Sequence, residues 1–298
     1  MLKEHLVTVW KTLQRSKIGY LLVLVVIGLT MLYPLLWMIG TAVKTNDPAE
    51  LLLEGPGAGI FPSDKNIFSN LFPPVWHWEN FLEVFRTSTF ARYYLNSALV
   101  AVAVTLGQLV TSALAAFAFS RLKFRGSETL FFLYLATLMV PVSVTLIPLF
   151  IMMSKFGVVD SYFVLMIPPM FGAYGTFLLR QFFKGIPDEL DEAACIDGCN
   201  AFGRFIHVIL PLSGPALATL GIFTFLGNWQ SFLYPLVMVS SDRLKTIPLG
   251  LLDFVDLNSA NWPLLMAASV WSILPVVVIF LFGQRFFVSG VRLGGVKG

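Results

Sequence analysis

The side chains able to do chemistry concentrate in one short polar segment of an otherwise apolar chain, residues 188–199. Its acidic members come first: Asp188, Glu189, Asp191 and Glu192. The chain's two cysteines follow, Cys195 and Cys199, and their spacing of four puts both thiols on one face of a helix. A metal site normally needs four ligands, and the three histidines are scattered along the chain. Two reduced, unpaired thiols are therefore the better interpretation, and no metal site is expected.

The local pattern around these acids predicts two helices joined by a turn. Pro187 suits the first turn of a helix, and the acids after it lie where the helix dipole favours negative charge. Gly198 can end that helix with a positive φ, and Asn200 can cap a second helix that runs to Pro211. Small and apolar residues share one face of the first helix: Leu190, Ala193 and Ala194.

Such a helix–turn–helix has two interpretations. It lies along a membrane surface as an amphipathic hairpin, or it docks another protein. Membrane-surface helices are usually basic, whereas the first helix here is acidic, so its charge favours docking.

Composition places these elements beside a membrane. Hydrophobic residues make up 57% of the 298 residues and charged residues only 12%, against about 25% charged in a typical soluble domain. The net charge of +3 comes from few charges and gives no reason to expect nucleic-acid binding. Since a membrane-spanning helix takes about 20 residues, we expect an all-α membrane protein with about six transmembrane helices. The six apolar stretches are Ile18–Val43, Leu95–Ser120, Thr129–Met153, Tyr162–Leu179, Val208–Val239 and Leu264–Gly283.

These six stretches contain no Asp, Glu, Lys, Arg or His. Proton- and ion-coupled transporters usually carry such groups at membrane depth, so a secondary transporter or channel is disfavoured. A membrane-embedded enzyme is disfavoured as well, because the HExxH and GxSxG motifs are absent from the sequence. If the protein moves a solute uphill, the energy is expected from outside the spans.

The basic residues predict the orientation. With the N-terminus inside, 13 of the 20 basic residues fall in inner segments, in agreement with the positive-inside rule. We therefore predict that both termini are cytoplasmic, with residues 1–17 as an N-terminal segment and 18–298 as the transmembrane domain. Its main connecting segments are an outer loop at 44–94, an inner loop at 180–207 and an inner tail at 284–298. The first apolar stretch exceeds a signal-peptide core and lacks a clear cleavage site, so an uncleaved span is predicted.

The outer loop is rich in proline, glycine and aromatic residues. Trp76 and Trp78 could hold it at headgroup level as an interfacial anchor. The same loop could instead dock an external partner. Composition favours neither interpretation over the other.

A longer pattern runs from the inner loop into the fifth apolar stretch. Glu192-Ala193-Ala194 is followed after three residues by Gly198, and Leu210-Pro211 comes further on. This pattern resembles the EAA loop of binding-protein-dependent ABC importer permeases, with Val208 at a position where that family has Ile. The resemblance covers nearly the whole chain. Within the family, the chain is similar to the carbohydrate-uptake branch, in particular to the smaller subunit of the maltose permease. Its further matching stretches are Asn96-Ser97, Leu114–Gly126, PLSGPALAT, Asn228–Leu236 and Gly294–Gly298.

The resemblance implies a type I ABC importer permease fold in the bacterial inner membrane, with a cytoplasmic coupling helix–turn–helix. The partners that it implies are a second homologous permease, two ATP-binding ATPase subunits and a periplasmic or lipid-anchored solute-binding protein, besides membrane lipid. The sequence has no GxxxxGK[ST] phosphate loop. No cofactor is therefore expected on this chain, and ATP and Mg are expected on the partner ATPases.

Carried over by position, the coupling role falls on Glu192, Ala193, Ala194, Asp197, Gly198, Leu210 and Pro211. Glu192 would supply a charge-assisted contact, the alanines a close fit and Gly198 the turn. The tail would reach the same ATPases through Gly295, Val296, Lys297 and Gly298. Simple disorder is the alternative for so short a tail.

A polar cluster in the fifth apolar stretch is the candidate solute pathway: Asn228, Trp229, Gln230, Ser231 and Tyr234. Polar residues at membrane depth usually face a bundle interior or a cavity, and amides beside aromatic rings suit a hydroxyl-rich solute. Packing between helices explains the cluster equally well. Sugars, oligosaccharides, sugar-derived osmolytes and polyol phosphates would all suit this branch, so the sequence leaves the solute open.

Overall fold

The computed structural model describes residues 17–45, 73, 75–87, 89–255 and 261–294. Within these ranges the elements of three or more residues are all helical, which confirms the predicted all-α class. The chain forms two compact units. The first comprises Met1–Ser88 and Phe254–Trp271, and the second comprises Thr89–Asp253 and Ser272–Gly298.

The first unit is built on helix α1, Lys17–Ala42. Its apolar part is 24 residues long, which is enough to cross the roughly 30 Å hydrocarbon core of a bilayer. The amide of Asn80, at the start of the short helix α2, Asn80–Thr87, donates to the Ala42 and Lys44 carbonyls at 2.9 and 2.8 Å. The bond to Ala42 satisfies a carbonyl that the end of α1 leaves without a helical partner.

The predicted outer loop at 44–94 therefore contains helix. Besides α2, helix α3 begins at Phe90, five residues before the predicted start of the second span. Trp76 and Trp78 stack with their ring centroids 5.4 Å apart, and both are exposed. Residues 46–72 lie outside the described part of the chain, so the anchor and docking interpretations of this loop both stay predictions.

The second unit packs around α3, Phe90–Arg121. Helix α7, Ala173–Lys184, approaches it closely because Gly175 has no side chain: a Cβ there would overlap the Ser112 hydroxyl and lie 3.1 Å from Leu220. Helix α11, Gly214–Trp229, carries Leu220 into the same core. Small residues at helix contacts are typical of membrane bundles, where close packing takes the place of the hydrophobic effect.

Two predicted spans are bent rather than straight. Helices α4, Ser127–Ala136, and α5, Val142–Lys155, are joined through a 3-10 turn at Thr137–Met139 and meet at 99°. The segments Ala201–Leu212 and Gly214–Trp229 meet at 78°. In the described ranges, four helices are long and apolar enough to cross a membrane, or six if each bent pair is one span. The latter agrees with the predicted number.

The other elements connect or extend these helices. In chain order they are α6 Tyr162–Met166, a 3-10 turn at Pro168–Met170, α8 Asp188–Ile196, α9 Ala201–Arg204, a π-helical turn at Phe205–Ile209, α10 Leu210–Leu212, α12 Leu233–Met238, a 3-10 turn at Asp242–Leu244, α13 Ile247–Gly250, a 3-10 turn at Leu251–Phe254 and α14 Trp262–Gly294. The predicted fifth stretch, Val208–Val239, is therefore not one helix. It is interrupted at Ser213 and again between α11 and α12.

Candidate coupling site

The acidic segment folds as the predicted helix–turn–helix, which we call the hairpin (residues 187–209). Its first helix, α8, begins at Asp188, with Pro187 at the N-cap position rather than inside the first turn. Pro187 has an extended backbone with ψ 138°, and its missing N–H costs nothing there because helix-start donors have no intrahelical partner. Three acids then occupy the first turn, where the helix dipole stabilises negative charge: Asp188, Glu189 and Asp191.

The turn of the hairpin is closed by Gly198. Its φ of +83° lies in the left-handed region, which costs glycine almost nothing and other residues about 1–2 kcal/mol. The Cys199 N–H donates to the Ala194 carbonyl at 2.9 Å, and the Gly198 N–H donates to the Cys195 carbonyl at 3.1 Å. This pair of bonds is a Schellman motif, which satisfies the last carbonyls of α8.

The second arm of the hairpin packs into the second unit. The side chain of Asn200 caps α9 by accepting from the Gly203 N–H at 2.7 Å. Phe205 and Ile209 are buried in a hydrophobic cluster, and the Phe205 ring lies 5.1 Å from that of Phe117 on α3. Pro211 cannot donate a helical hydrogen bond, and the π-helical turn at Phe205–Ile209 ends two residues before it.

A single arginine at the end of α3 holds the base of the hairpin. Arg121 is 4% exposed and pairs with Asp188 through Nη1. Its Nη2 donates to the carbonyls of Phe183 and, at 2.6 Å, Ile186, which lead into α8. The first arm of the hairpin is therefore tied to the longest helix of the second unit by side-chain to main-chain contacts.

Asp191 lies between two arginines on the inner side of α8. Its Oδ2 is 3.6 Å from Nη1 of Arg121 and 4.0 Å from Nη1 of Arg204 on the second arm. The side chains of Asp191 and Arg204 are 10% and 18% exposed. Through Asp191, both arms of the hairpin are therefore linked to α3. Removing one member of such a buried ion pair would leave the other charge without compensation.

The opposite side of the hairpin is open. Glu192 and Ala193 are exposed, and Glu192 has no ion pair with any residue that the structure describes. Ile196 is 87% exposed and Phe202 62%. Ala194 differs from the expectation, because it is 8% exposed and does not share this open face with Ala193. One residue further along a helix points about 100° away, which takes Ala194 from the open side, where Ala193 lies, to the packed side of α8.

The remaining predicted coupling residues lie at the edges of the hairpin. Asp197 is the C-cap of α8 and is exposed. Leu210 packs against the buried cluster, whereas Pro211 is exposed. The tail residues Gly295, Val296, Lys297 and Gly298 lie outside the described residues.

The candidate solute cluster is divided by the structure. Trp229 is 3% exposed and donates from Nε1 to the Ser272 carbonyl at 2.9 Å, and Tyr234 donates to the Val164 carbonyl at 2.6 Å. The Asn228 amide donates to the Thr224 carbonyl one turn back at 2.8 Å. The Trp229 and Tyr234 bonds join distant segments and serve packing within the bundle, whereas the Asn228 bond lies within α11.

Gln230 and Ser231 differ from those three neighbours. They occupy the break between α11 and α12, where Gln230 is exposed and Ser231 is half-buried. Neither forms a side-chain hydrogen bond with the residues that the structure describes, which leaves their polar groups available to a solute.

The ionic anchor of the hairpin was not predicted from the sequence, where the basic residues indicated only the orientation and the acids of the loop only a helix start. Arg121 and Asp191 are 70 positions apart, so nothing local signals their contact. The only hint was a strong acidic bias in a loop flanked by basic residues.

A second polar cluster lies near the start of α3. The buried Asn96 amide donates to the Arg243 and Lys245 carbonyls at 3.0 and 2.8 Å, and its oxygen accepts from the Tyr162 hydroxyl at 2.6 Å. Asp160 has a φ of +58° and accepts from the backbone N–H groups of Ser240 and Ser241. Asn96 and Asp160 therefore fix the loops at this end of the bundle.

Two charged groups of this cluster have shifted pKa values. The Ser241 backbone N–H, together with the Ser241 hydroxyl and the Ser240 N–H, holds the pKa of Asp160 below its usual value. Burial opposes the charge of Lys245, but its bonds to Asp242 and Asp253 prevail and raise the pKa of its amine. Both groups therefore stay charged around neutral pH.

Apolar helices long enough to cross a bilayer, joined to a polar hairpin with one anchored and one open side, define a multi-pass membrane protein. A family model described as the inner membrane component of binding-protein-dependent transport systems matches residues 108–293. The chain belongs to this family, and it is a permease subunit.

Individual relatives agree over most of the chain. A probable ABC transporter permease, YurM of Bacillus subtilis (strain 168), is 34% identical over 270 residues, which cover 89% of this chain and 84% of YurM. The arabinooligosaccharide transport permease AraQ of Halalkalibacterium halodurans is 35% identical over 227 residues, 76% of this chain and 81% of AraQ. The crystal structure of a bacterial ABC transporter that imports alginate matches with a TM-score of 0.77 at 22% identity, over 91% of this chain and 95% of that one. This structural match shows a shared ABC importer permease fold.

Proposed function

We propose that this permease pairs with a second, homologous permease to form the membrane pathway of an ATP-binding-cassette importer. Two ATPase subunits would bind and hydrolyse ATP with Mg, and a solute-binding protein would deliver the solute from outside. The bundle would sit in the bacterial inner membrane with both termini and the hairpin in the cytoplasm. The distribution of basic residues supports this orientation.

The observation that carries this proposal is the two-sided hairpin. Its inner side is tied to α3 by Arg121, so a force applied to the hairpin reaches the longest helix of the second unit directly. Its outer side presents the Glu192 carboxylate, which has no ion pair among the described residues, beside exposed apolar surface at Ile196. Because interfaces combine apolar contact with charge-assisted bonds, this face suits a cleft on an ATPase better than it suits lipid.

We propose a sugar or oligosaccharide as the solute. The names of AraQ and of the alginate importer specify oligosaccharide and polysaccharide substrates for those proteins. In this chain the break between α11 and α12 leaves Gln230 and Ser231 with neutral donors and acceptors, which suit hydroxyl groups.

The turn of the hairpin gives the sharpest test. A Cβ at Gly198 would meet no atom within 4 Å, so the cost of a substitution comes from its positive φ alone. Gly198→Val should leave membrane insertion intact, displace the end of α8, abolish uptake and weaken copurification of the ATPase. Gly198→Asn is the matched control, because asparagine tolerates the left-handed region, and it should keep most activity.

Uptake of labelled oligosaccharides and pull-down of the full complex measure both effects. Normal uptake by Gly198→Val would contradict the coupling role of the hairpin. A chain that transports by itself, with no ATPase and no second permease, would refute the importer.

A further inference from the structure

A pocket between α3, α4 and α7 is not used by the coupling site. Its volume is about 570 Å³, and its lining includes Phe119, Phe124, Lys123, Arg125, Glu128 and Lys184. All of these residues belong to the second unit. The lining therefore combines aromatic rings with three cations and one carboxylate.

The single carboxylate does not neutralise these cations. Glu128 pairs with Arg180, which is 4% exposed, donates to the Phe119 carbonyl at 3.0 Å and lies 3.9 Å from the Phe131 ring. The contact of Glu128 with Lys184 is longer, at 3.5 Å. The charge of Glu128 is thus largely compensated by the buried Arg180, so the lining of the pocket keeps an excess of positive charge.

Lys123 and Arg125 supply most of that excess. Both are exposed, and neither forms an ion pair or side-chain hydrogen bond with the residues that the structure describes. Gly126, the N-cap of α4, has no side chain to bond the first N–H groups of that helix. The positive end of the α4 dipole therefore adds to the two cations.

The position of the pocket identifies the kind of anion. Residues 122–126 connect the end of α3 to the start of α4, so they lie where two membrane-spanning segments meet the interface. Directly beyond the pocket, α4 presents exposed apolar side chains, including Leu130 at 51% and Leu133 at 62%. A positive pocket that continues into an apolar helix face matches a headgroup joined to acyl chains.

We propose that this pocket binds the phosphate headgroup of an anionic glycerophospholipid, such as phosphatidylglycerol, from the leaflet on the hairpin side. Lys123 and Arg125 would contact the phosphate, and the acyl chains would follow α4. The assignment to the cytoplasmic leaflet rests on the proposed orientation. Because Glu128 links the pocket to Arg180 and Lys184 on α7, which leads to the hairpin, a bound lipid would also brace the base of the coupling site.

Native mass spectrometry of the full chain, with any subunits that copurify, tests the proposal. The protein is taken from nanodiscs of phosphatidylcholine with phosphatidylglycerol, and the lipid retained by each complex is identified. Wild type should retain phosphatidylglycerol in preference to phosphatidylcholine. The double variant Lys123→Gln with Arg125→Gln should bind it about 30-fold more weakly, as expected for the loss of two interfacial cation contacts.

Matched variants separate this site from bulk charge. Arg92→Gln with Lys155→Gln removes the same charge from exposed positions of the second unit that do not line the pocket, and it should leave retention unchanged. Lys123→Arg with Arg125→Lys keeps both cations and should retain phosphatidylglycerol as wild type does. Equal retention by wild type and the Gln double variant, or equal retention of both lipids, would overturn the proposal.

Two further outcomes would show that the pocket binds a different ligand, and either would overturn the proposal. One is displacement of the lipid by inorganic phosphate in solution, which would indicate a site for a free anion. The other is loss of ATPase copurification in the Gln double variant with lipid retention unchanged, which would indicate a protein contact. The lipid measurement needs only the full chain, so its result is independent of whether transport and ATPase association behave as proposed.

Discussion

At the scale of single residues, two neighbouring carboxylates of α8 do different work. Asp191 is buried between Arg121 and Arg204, whereas Glu192 is exposed and unpaired within the described part of the chain. The rotation of about 100° between adjacent helical residues is enough to move from an internal ion pair to the open side of the hairpin. The pair therefore allows the anchoring role and the docking role to be tested separately.

Replacing Asp191 should destabilise the fold, and replacing Glu192 should not. Asp191→Ala leaves two arginines without their shared carboxylate, and we expect a loss of about 3 kcal/mol in the free energy of unfolding. Glu192→Ala should change that free energy by no more than about 0.5 kcal/mol, while it lowers uptake and ATPase association. Unfolding in detergent and uptake in cells measure the two effects. Equal stability losses for the two variants would contradict the assignment of their roles.

Asp160 predicts a dependence of stability on pH. Its folded pKa lies below the usual value of 3.8, so it stabilises the folded state above that pH, and the contribution is lost as the pH falls through the folded pKa. Asp160→Asn keeps an acceptor oxygen and tolerates the φ of +58°, but it removes the charge. The variant should unfold at a lower temperature than wild type at pH 7, and the difference should shrink below about pH 4. A difference independent of pH would contradict a role for the charge.

At the scale of helices, close contact between α3, α7 and α11 holds the second unit together. Gly175 lies where these helices approach one another, because a Cβ there would overlap Ser112 and touch Leu220. A Cβ added at Gly227, on α11, would have no atom within 4 Å. The bundle thus depends on the small size of particular residues rather than on glycine in general.

Gly175→Leu should therefore separate the helices and reduce the yield of folded protein. Overpacking of this kind costs about 1–3 kcal/mol, whereas Gly227→Leu should be tolerated. Size-exclusion profiles and thermal unfolding of the two variants provide the measurement. A folded, stable Gly175→Leu protein would show that the close contact is not required.

At the scale of the whole molecule, orientation is the property on which the proposed function depends. The hairpin can meet an ATPase only if the ends of α3 and α7 that carry it face the cytoplasm. The basic residues predict this arrangement through the positive-inside rule. Two exposed or half-exposed positions in opposite predicted compartments can test it, Ser127 and Lys155.

In a background with both native cysteines replaced by serine, Lys155→Cys should react with a membrane-impermeant maleimide in intact cells. Ser127→Cys should react only after the cells are opened. Labelling followed by a mass shift on a gel gives the result. Reaction of Ser127→Cys in intact cells would reverse the topology and, with it, the cytoplasmic position of the hairpin.

Much of this protein could be predicted from its sequence because the signals are local. Composition and the length of apolar stretches gave a helical membrane protein, and Pro187, Gly198 and Asn200 marked the hairpin within a residue of its observed limits. A cap or a left-handed turn depends on the residue at that position and its immediate neighbours, so such residues mark the turn wherever the chain places it.

Only the tertiary structure showed which side of the hairpin is open and which helices are broken. The pairing of Arg121 with Asp191, the burial of Ala194 and the packing roles of Trp229 and Tyr234 all depend on residues far away in the chain. The bends of 99° and 78° could not be predicted from hydropathy. A straight apolar segment and a bent one have the same hydropathy profile. The sequence thus determined that the chain folds in a membrane and where its local turns lie. Long-range packing decided which side chains are buried and which are exposed for contact.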